Sequence, residues 1–215
     1  MSNSYTATFS SDNILIGVSG IIGVGKSTLT KSLGKILDCE VLHEPVESNE
    51  YLSKFYKNIS KYSFPMQIYL LNHRFRQHQQ MVWSNKNVIQ DRTIYEDVIF
   101  AKMLHEDGLM ESLDFQTYVG LFQNMSNFLH RPDLIIYLDV DPKEALRRVR
   151  ERNRSCETSL TLDYLIKLKK GYEEWLKDVS SRIPVIYLDW NKYQETEAVA
   201  IKIKASLATR KGLVL

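Results

Sequence analysis

The sequence predicts an α/β domain in which a five-stranded parallel sheet has helices on both faces. Short apolar runs that suit buried parallel strands alternate along the chain with longer segments in which apolar residues recur at helical spacing. This alternation is typical of parallel sheets that are covered by helices. The expected strands cover residues 14–18, 40–43, 88–90, 134–138 and 184–188.

Two long helices are expected between the second and fourth strands. Ser63 suits the N-terminal cap and Pro65 the first turn of a helix that runs to about Trp83. The other should cover residues 109–130, with an apolar stripe typical of core or subunit interface at Leu113, Tyr118, Leu121, Phe122, Met125 and Leu129. Further helices are expected after the glycine-rich loop described below, at 51–57, from Lys143 onward, at 161–177 and at 195–205.

Composition and charge restrict the class of protein. The 215 residues fit one domain, expected over residues 13–215 after a polar, disordered tail at residues 1–12. A net charge of +2 disfavours a nucleic-acid-binding protein, and no apolar run is long enough to predict a membrane span. The two cysteines form neither a disulfide framework nor a metal motif, and the tail lacks the Lys and Arg of a signal or transit peptide. We therefore expect a cytoplasmic protein that binds small molecules.

Residues 20–28 contain the most specific motif of the chain. GIIGVGKST matches G-x-x-x-x-G-K-[ST] between an expected strand and an expected helix, the context that the pattern requires. Glycines let backbone N–H groups converge on an anion, and the helix N-terminus adds its dipole. Lys26 would reach the β- and γ-phosphates of a nucleoside triphosphate, while the Ser27 hydroxyl would help to hold Mg²⁺. The expected phosphate-binding residues are Gly20, Ile21, Ile22, Gly23, Val24, Gly25, Lys26, Ser27 and Thr28.

The alternative to a phosphate-binding loop is a glycine-rich turn before an ordinary amphipathic helix. The strand, the glycines, the Lys-Ser pair and the helix all stand in one register, which favours the phosphate site. The sequence therefore predicts a protein that binds a nucleoside triphosphate.

Carboxylates follow two other expected strands, at the edge of the sheet where α/β proteins bind ligands. Glu44 comes directly after residues 40–43, and Pro45 restricts it to an extended conformation. Glu44 is a candidate general base for a substrate hydroxyl, although acidic residues after strands are also common in loops. Asp91 can ligate Mg²⁺ and polarise the attacking hydroxyl, while the neighbouring Arg92 can stabilise the moving phosphoryl group.

The first long helix presents an amide and a guanidinium on one face. Gln67, Leu71 and Arg74 are spaced four and three residues apart. Beside apolar neighbours such as Met66, this pair can read the edge of a nucleic base, and it can equally form a solvated stripe. Asp97 either favours the N-terminus of the next helix or pairs with Arg74 across a pocket.

Five arginines lie close together before an expected loop at residues 153–157. They are Arg147, Arg148, Arg150, Arg152 and Arg154. Such a run is usually a solvated helix face. In a protein that binds a triphosphate, arginines at a loop also suit a lid that closes over the phosphates.

In this order, the motifs resemble those of the deoxyribonucleoside kinases, the P-loop family that includes deoxycytidine, deoxyguanosine and deoxyadenosine kinases. The resemblance covers nearly the whole chain, from Ile14 to about Leu188. The similar segments are GIIGVGKST, HEPV, FYKNISKYSFPMQIYLLNHRF, QDRTIYEDVIFA and RVRERNRSCE. The resemblance implies a P-loop kinase fold with an arginine-rich lid. It also implies a homodimer that uses ATP and Mg²⁺ to phosphorylate the 5′-hydroxyl of a deoxyribonucleoside in nucleotide salvage.

Carried over by position, the resemblance implies roles for the catalytic and sugar-binding residues. Glu44 is the expected base for the 5′-hydroxyl, Asp91 is expected near Mg²⁺, and Arg92 is expected at the reacting oxygen and phosphate. Tyr56 and Glu157 match residues that hold the sugar 3′-hydroxyl.

The resemblance also implies a base pocket and a set of lid residues. The expected base pocket consists of Met66, Gln67, Arg74 and Asp97, and the lid arginines on the donor phosphates are Arg148, Arg152 and Arg154. The sequence departs from the family at two positions: Thr93 stands where Ser is common, and Cys156 stands where a second lid carboxylate is often found. Glu157 alone would then serve the sugar.

Two alternatives to a deoxynucleoside kinase stay open. A thymidylate-kinase-like nucleotide kinase shares the scaffold, but its family usually has Arg-Glu-Pro-Gly at the second strand. His43-Glu44-Pro45-Val46 lacks that arginine, which favours a neutral acceptor.

The other alternative is a non-catalytic nucleotide switch. Asn191-Lys192 resembles the start of the guanine-reading motif Asn-Lys-x-Asp, but Gln194 stands where that motif requires an aspartate.

The expected acceptor base follows from the charged pair and from the resemblance. A purine can meet donors and acceptors of Arg74 and Asp97 that lie beyond the reach of a pyrimidine. KYSFPMQIYLLNHRF and QDRTIYED look most like the segments of deoxyadenosine-type members. Deoxyadenosine is therefore the expected acceptor, followed by deoxyguanosine or deoxycytidine.

Overall fold

The computed structural model describes residues 13–44, 49–84, 86–154 and 157–212. The strands are β1 (Leu15–Ser19), β2 (Glu40–Leu42), β3 (Val88–Asp91), β4 (Leu134–Asp139) and β5 (Val185–Asp189). The helices are α1 (Lys26–Leu37), α2 (Leu52–Lys57), α3 (Ile59–Ser84), α4 (Asp97–Glu106), α5 (Ser112–Ser126), α6 (Pro142–Arg152), α7 (Leu162–Val179) and α8 (Thr196–Gly212), with a 3-10 turn at Ile94–Glu96. The expected tail at residues 1–12 lies outside the described residues.

The predicted parallel sheet is confirmed, and its strand order is β2-β3-β1-β4-β5. β1 lies at the centre, where Val18 is in register with Asp91 of β3 and with Ile136 of β4. Every residue of β1 is buried, because helices flank the sheet on both faces. All five strands run in the same direction. Ser19, Asp91 and Asp139, which end their strands, therefore all lie at the carboxyl edge of the sheet.

Among the described residues, the two larger apolar clusters hold this arrangement. The larger one packs the sheet against α1, α6, α7 and α8. The second is helical and joins Phe55, Met66, Leu71, Leu104 and Tyr118 from α2, α3, α4 and α5. The sheet edge and the helical cluster enclose the space in which the functional residues meet.

The prediction that Ser63 caps α3 is wrong, because the helix begins at Ile59. The Asn58 side chain accepts a hydrogen bond from the backbone N–H of Lys61 (3.1 Å) and so caps the helix one turn earlier. Ser63 instead donates to the carbonyl of Ser60 (3.2 Å), and Pro65 lies inside the helix.

The second long helix is shorter than predicted. Gly108 adopts a left-handed conformation (φ 68°) and ends α4, and Leu109 donates to the Leu104 carbonyl (2.8 Å). The helix α5 then begins only at Ser112, after the buried Met110. Of its predicted apolar stripe, Tyr118 is fully buried, whereas Leu113 and Leu121 are exposed.

The remaining expected boundaries agree with the structure to within a few residues, except that α8 extends beyond the predicted residue 205. None of the helices in the described part of the chain is both long and apolar enough to cross a lipid bilayer.

Candidate active site

A cavity of about 320 Å³ opens at the carboxyl ends of the strands, between the P-loop and α3. Most of the residues that the sequence predicted for the site line this cavity. They are Ile22, Gly23, Gly25, Lys26, Ser27, Thr28, Glu44, Tyr56, Met66, Gln67, Arg74, Arg92, Asp97, Arg148, Arg152, Arg154 and Glu157. Gly20, Ile21, Val24 and Asp91 are not among the described residues that line it.

The P-loop has the conformation that its glycines predict. Gly20, Gly23 and Gly25 all have positive φ (147°, 90° and 96°), and a Cβ on Gly23 would lie 2.5 Å from the Ala145 carbonyl oxygen. Lys26 Nζ folds back to donate to the carbonyls of Gly20 (3.0 Å) and Ile21 (2.9 Å). Burial, together with the charge of Arg92, lowers the pKa of this lysine to about 8.

Two oxygen ligands for a divalent cation meet beside the P-loop. The Ser27 hydroxyl donates a very short hydrogen bond to Oδ2 of Asp91, whereas Asp91 Oδ1 is buried without a hydrogen-bond partner among the described residues. Hydroxyl and carboxylate oxygens suit Mg²⁺. No group of three or more His, Cys, Asp or Glu within the described ranges could hold a metal ion, so phosphate oxygens and water would have to complete the coordination.

Glu44 stands between two arginines at the cavity wall. Its Oε1 accepts a hydrogen bond from Arg74 Nη2 (2.7 Å) and lies 3.2 Å from Arg92 Nε. Burial raises the pKa of this carboxyl, but Arg92, Arg74 and Lys26 outweigh burial and lower it to about 2. Glu44 is therefore ionised at neutral pH.

Arg74 also contacts Asp97. Of the two predictions for Asp97, pairing with Arg74 across the pocket is therefore confirmed. Its Nη1 lies 2.6 Å from Asp97 Oδ1, and both side chains are almost fully buried. Burial is the largest influence on Asp97 and raises its pKa to about 7 although Arg74 opposes this. Gln67 and Met66 are buried on the same helix and line the same end of the cavity, so the alternative of a solvated stripe is wrong.

Arg92 is held by several contacts that the sequence did not predict. Its backbone is left-handed (φ 69°), and its guanidinium lies over the ring of Phe100 (4.7 Å). Nη1 contacts Glu96 Oε2 (3.3 Å) and makes a very short contact with the hydroxyl of Tyr172. The Thr93-x-x-Glu96 capping box could have drawn attention to Glu96 from sequence, but no local pattern marks Tyr172.

The lid arginines have different partners in the structure. Arg152 and Arg154 both pair with Glu157, at 2.6 Å and 3.6 Å, and each is about one-third exposed. Arg148 is buried: it donates to the carbonyls of Val24 (3.2 Å), Trp190 (2.8 Å) and Asn191 (2.8 Å). Arg148 thus fastens the P-loop to the segment after β5. Cys156 lies outside the described residues.

Sequence reasoning missed several lining residues. They are Asn49, Leu52, Phe55, Leu70, Phe100, Tyr164 and Tyr193. Tyr193 lies in the segment after β5, where its ring stacks under the Arg148 guanidinium (4.4 Å) and lies near Gly25. Most of the others are apolar or aromatic residues whose side chains have no sequence signal that separates a pocket wall from a core.

The fold and the site together define a P-loop phosphotransferase, with a phosphate-binding loop at one end of the cavity and a carboxylate between arginines at the other. Residues 16–209 match the sequence model of the deoxynucleoside kinase family. The chain belongs to that family, and it is a nucleoside kinase.

Similar proteins include curated relatives and solved structures. A deoxyadenosine kinase of Dictyostelium discoideum is 52% identical over 190 residues, which are 88% of this chain and 78% of the relative. A deoxyadenosine/deoxycytidine kinase of Bacillus subtilis is 39% identical over 184 residues, 84% of either chain. The structure of a deoxyadenosine kinase from M. mycoides with bound dATP superposes with a TM-score of 0.81 at 34% identity and covers 89% of this chain and all of that one.

Proposed function

We propose that the protein transfers the γ-phosphoryl group of ATP to the 5′-hydroxyl of deoxyadenosine, and of deoxyguanosine or deoxycytidine less efficiently. The observation that carries this proposal is the buried Arg74–Asp97 pair at the end of a cavity whose other end is the P-loop. Relatives named for deoxyadenosine phosphorylation support the preferred base. The product would be the 5′-monophosphate of nucleotide salvage in the cytoplasm.

Adenine offers what the charged pair can recognise. Its exocyclic amino group donates hydrogen bonds, and its ring nitrogens accept them. Asp97 Oδ2 and Arg74 Nε are both buried without a hydrogen-bond partner among the described residues. The pair therefore has one acceptor and one donor that could form hydrogen bonds with the base. Met66 and Phe55 supply apolar surface for the faces of the base, and Gln67 supplies a further polar edge.

Glu44 and Arg92 are proposed to act on the reacting atoms. The ionised Glu44 takes the proton of the 5′-hydroxyl as that oxygen attacks the γ-phosphorus of ATP. Arg92 lies next to Glu44 and adds positive charge where negative charge develops on the transferred group. Positioning of the two substrates in one cavity supplies much of the remaining rate.

The donor would bind at the P-loop. Backbone N–H groups of the loop and the ammonium of Lys26 would hold its phosphates, and Lys26 would exchange its two carbonyl partners for phosphate oxygens. Ser27 and Asp91 would hold Mg²⁺, which neutralises charge on the phosphate oxygens when it is bound. Arg152 and Arg154 are near enough to the cavity to complete a lid over the phosphates.

Tyr56 and Glu157 are the proposed ligands of the sugar 3′-hydroxyl. Both line the cavity, and Glu157 is buried with Arg152 and Arg154 around it. Because the same arginines contact Glu157, binding of the sugar and closing of the lid would be linked.

The test is ATP-dependent phosphorylation of each deoxynucleoside, and of each corresponding monophosphate, by the purified protein. Fast turnover of deoxyadenosine without reaction on monophosphates is expected. Turnover of deoxycytidine or deoxyguanosine in its place would overturn the base preference alone. Activity on monophosphates alone would show the nucleotide-kinase alternative to be right, and nucleotide binding without turnover would show the switch to be right.

We also propose a homodimer, as the resemblance implies. Exposed apolar side chains on α5, Leu113 and Leu121, support a helical interface. Sedimentation velocity tests this proposal, and a monomer at every protein concentration would contradict it.

A further inference from the structure

A buried carboxylate that no role in the proposed function requires lies behind Arg92. Glu96 is fully buried, and both of its oxygens are occupied. Oε1 accepts hydrogen bonds from the Ser19 hydroxyl (2.8 Å) and the Thr93 backbone N–H (2.9 Å). Oε2 contacts Arg92 Nη1 (3.3 Å) and accepts a very short hydrogen bond from the Tyr172 hydroxyl. One carboxylate thus connects β1, the turn after β3 and α7.

The guanidinium of Arg92 is therefore held on two sides. Towards the cavity, its Nε lies 3.2 Å from Glu44 and its Nη2 donates to the Gly20 carbonyl of the P-loop (3.4 Å). Away from the cavity, Nη1 meets Glu96 and Tyr172, which lie outside the set of described residues that line it. These rear contacts leave the front edge of the guanidinium directed at the reaction site.

We infer that Glu96 and Tyr172 are positioning residues that fix the orientation of Arg92 for phosphoryl transfer, an inference that rests on the proposed function of Arg92. Arg92 has a left-handed backbone, which is strained at a non-glycine residue, and a free arginine side chain has many rotamers. The Glu96 carboxylate and the Tyr172 hydroxyl hold the Arg92 side chain in one of these rotamers. Because the guanidinium is already oriented, it does not have to reorganise as negative charge develops on the phosphoryl group, and no free energy is spent on that reorganisation.

Glu96 also supplies a negative charge that balances Arg92 independently of Glu44. When Glu44 accepts the proton of the substrate, it loses its charge beside two buried arginines. Arg74 then keeps Asp97 as a partner, and Arg92 keeps Glu96. Arg92 therefore retains a carboxylate partner through the reaction, which limits the cost of an unpaired buried charge.

Tyr172→Phe is the sharpest test because it removes only the hydroxyl. The ring keeps its edge-to-face contacts with Phe100 and Trp175. Tyr137→Phe is the matched control: Tyr137 is a buried neighbour of Tyr172 (5.9 Å between ring centroids), and its hydroxyl makes no hydrogen bond to Arg92 or Glu96 in the described part of the chain. Glu96→Gln, which keeps the shape of the side chain, is the second variant.

Steady-state kinetics with ATP and deoxyadenosine give the expected result. Tyr172→Phe and Glu96→Gln should each lower kcat by about 10-fold or more, with KM for both substrates changed by less than about 3-fold, because ground-state binding does not need the front edge of Arg92. The Tyr137→Phe control should keep its kcat. Thermal unfolding identifies any loss that comes from unfolded protein.

A second experiment repeats Tyr172→Phe in the Arg92→Lys background, which keeps the charge but removes Nη1. A hydroxyl that acts through Arg92 should then matter little, and the further loss of kcat should be less than about 3-fold. An equal fold-loss in both backgrounds, or a normal kcat for Tyr172→Phe in the otherwise unchanged protein, would overturn the inference. Absence of any deoxynucleoside phosphorylation by the unchanged protein would instead overturn the proposed function together with it.

Discussion

Oε1 of Glu44 accepts a hydrogen bond from Nη2 of Arg74 over 2.7 Å, while Nη1 of the same arginine lies 2.6 Å from Asp97. Arg74 therefore joins the proposed base-recognition pair to the proposed general base. A ligand that changes the position of Arg74 also changes the charge around Glu44. Under the proposed function, recognition of the base and the ionisation of Glu44 would therefore be linked through Arg74.

Glu44→Gln should lower kcat by about 100- to 10,000-fold, because the amide cannot accept the proton of the attacking hydroxyl. The variant should still fold, since Arg74 keeps Asp97 as a partner and Arg92 keeps Glu96.

Asp91→Asn should also lower kcat strongly, because it removes the negative charge of the carboxylate that contacts Ser27 and is proposed to hold Mg²⁺. Turnover assays with circular dichroism check both variants, and near-normal kcat in both would refute these assignments.

The affinity for ATP should decrease as the pH rises through about 8. Lys26 is charged below its lowered pKa of about 8 and neutral above it, and the neutral amine attracts phosphates weakly. The decrease should appear in kcat/KM for ATP, which reports the free enzyme, more than in kcat. Lys26→Arg stays charged throughout and is the control; the same alkaline decrease in that variant would contradict the assignment to Lys26.

The same pKa predicts how Lys26 affects stability. The unfolded lysine titrates near ~10.4, so between about 8 and that value the unfolded chain binds more protons than the folded one. The destabilising contribution of Lys26 is therefore complete below pH ~8 and diminishes as the pH rises. Urea unfolding of the protein and of a Lys26→Met variant, compared across this range, measures the difference.

Asp97→Asn should lower kcat/KM for deoxyadenosine by about 10- to 100-fold, because an amide replaces the carboxyl group beside Arg74. The KM for ATP should stay close to its original value, because the P-loop lies at the other end of the cavity. Glu151→Gln changes an exposed carboxylate that pairs with Arg147 and serves as the control. Unchanged selectivity over the four deoxynucleosides would show that Asp97 does not read the base.

Gln77→Leu should lower kcat by about 10-fold and lower the unfolding temperature. Gln77 Nε2 donates to the carbonyl of His43 (2.7 Å), and Gln77 Oε1 accepts from Gln90 (3.3 Å), so it fixes the backbone directly before Glu44. Gln79→Leu is the control on the same helix, because that side chain is exposed. Equal kinetics for the two variants would exclude this positioning role.

Two glycine substitutions should have opposite effects on stability. A Cβ on Gly34 of α1 would lie 2.2 Å from Cγ2 of Val41 in β2, so Gly34→Ala should destabilise by roughly 1–3 kcal/mol. A Cβ on Gly120 of α5 would meet no described atom of the protomer within 4 Å, so Gly120→Ala should stabilise the folded protomer by roughly 0.5–1 kcal/mol through helix propensity. Denaturant unfolding of both variants measures the signs.

The sequence by itself determined the parallel sheet, the P-loop and most of the residues around the cavity. These features depend on short-range patterns: apolar runs for strands, glycine spacing before Lys26 and Ser27, and the charged residues that directly follow β2 and β3. Local competition between signals explains the errors. Asn58 and Ser63 are both good helix caps, and the structure uses Asn58, which lies where α2 ends and α3 begins.

The tertiary structure alone decided the order β2-β3-β1-β4-β5 and the surroundings of the arginines. Tyr172 is separated from Arg92 by 80 positions, and Arg148 from Val24 by 124, so no periodicity links them. Their partners are set by the crossover helices, which return distant segments to one edge of the sheet. Buried charges then pair with whichever donors and acceptors that edge brings within reach, because leaving them unpaired costs several kcal/mol.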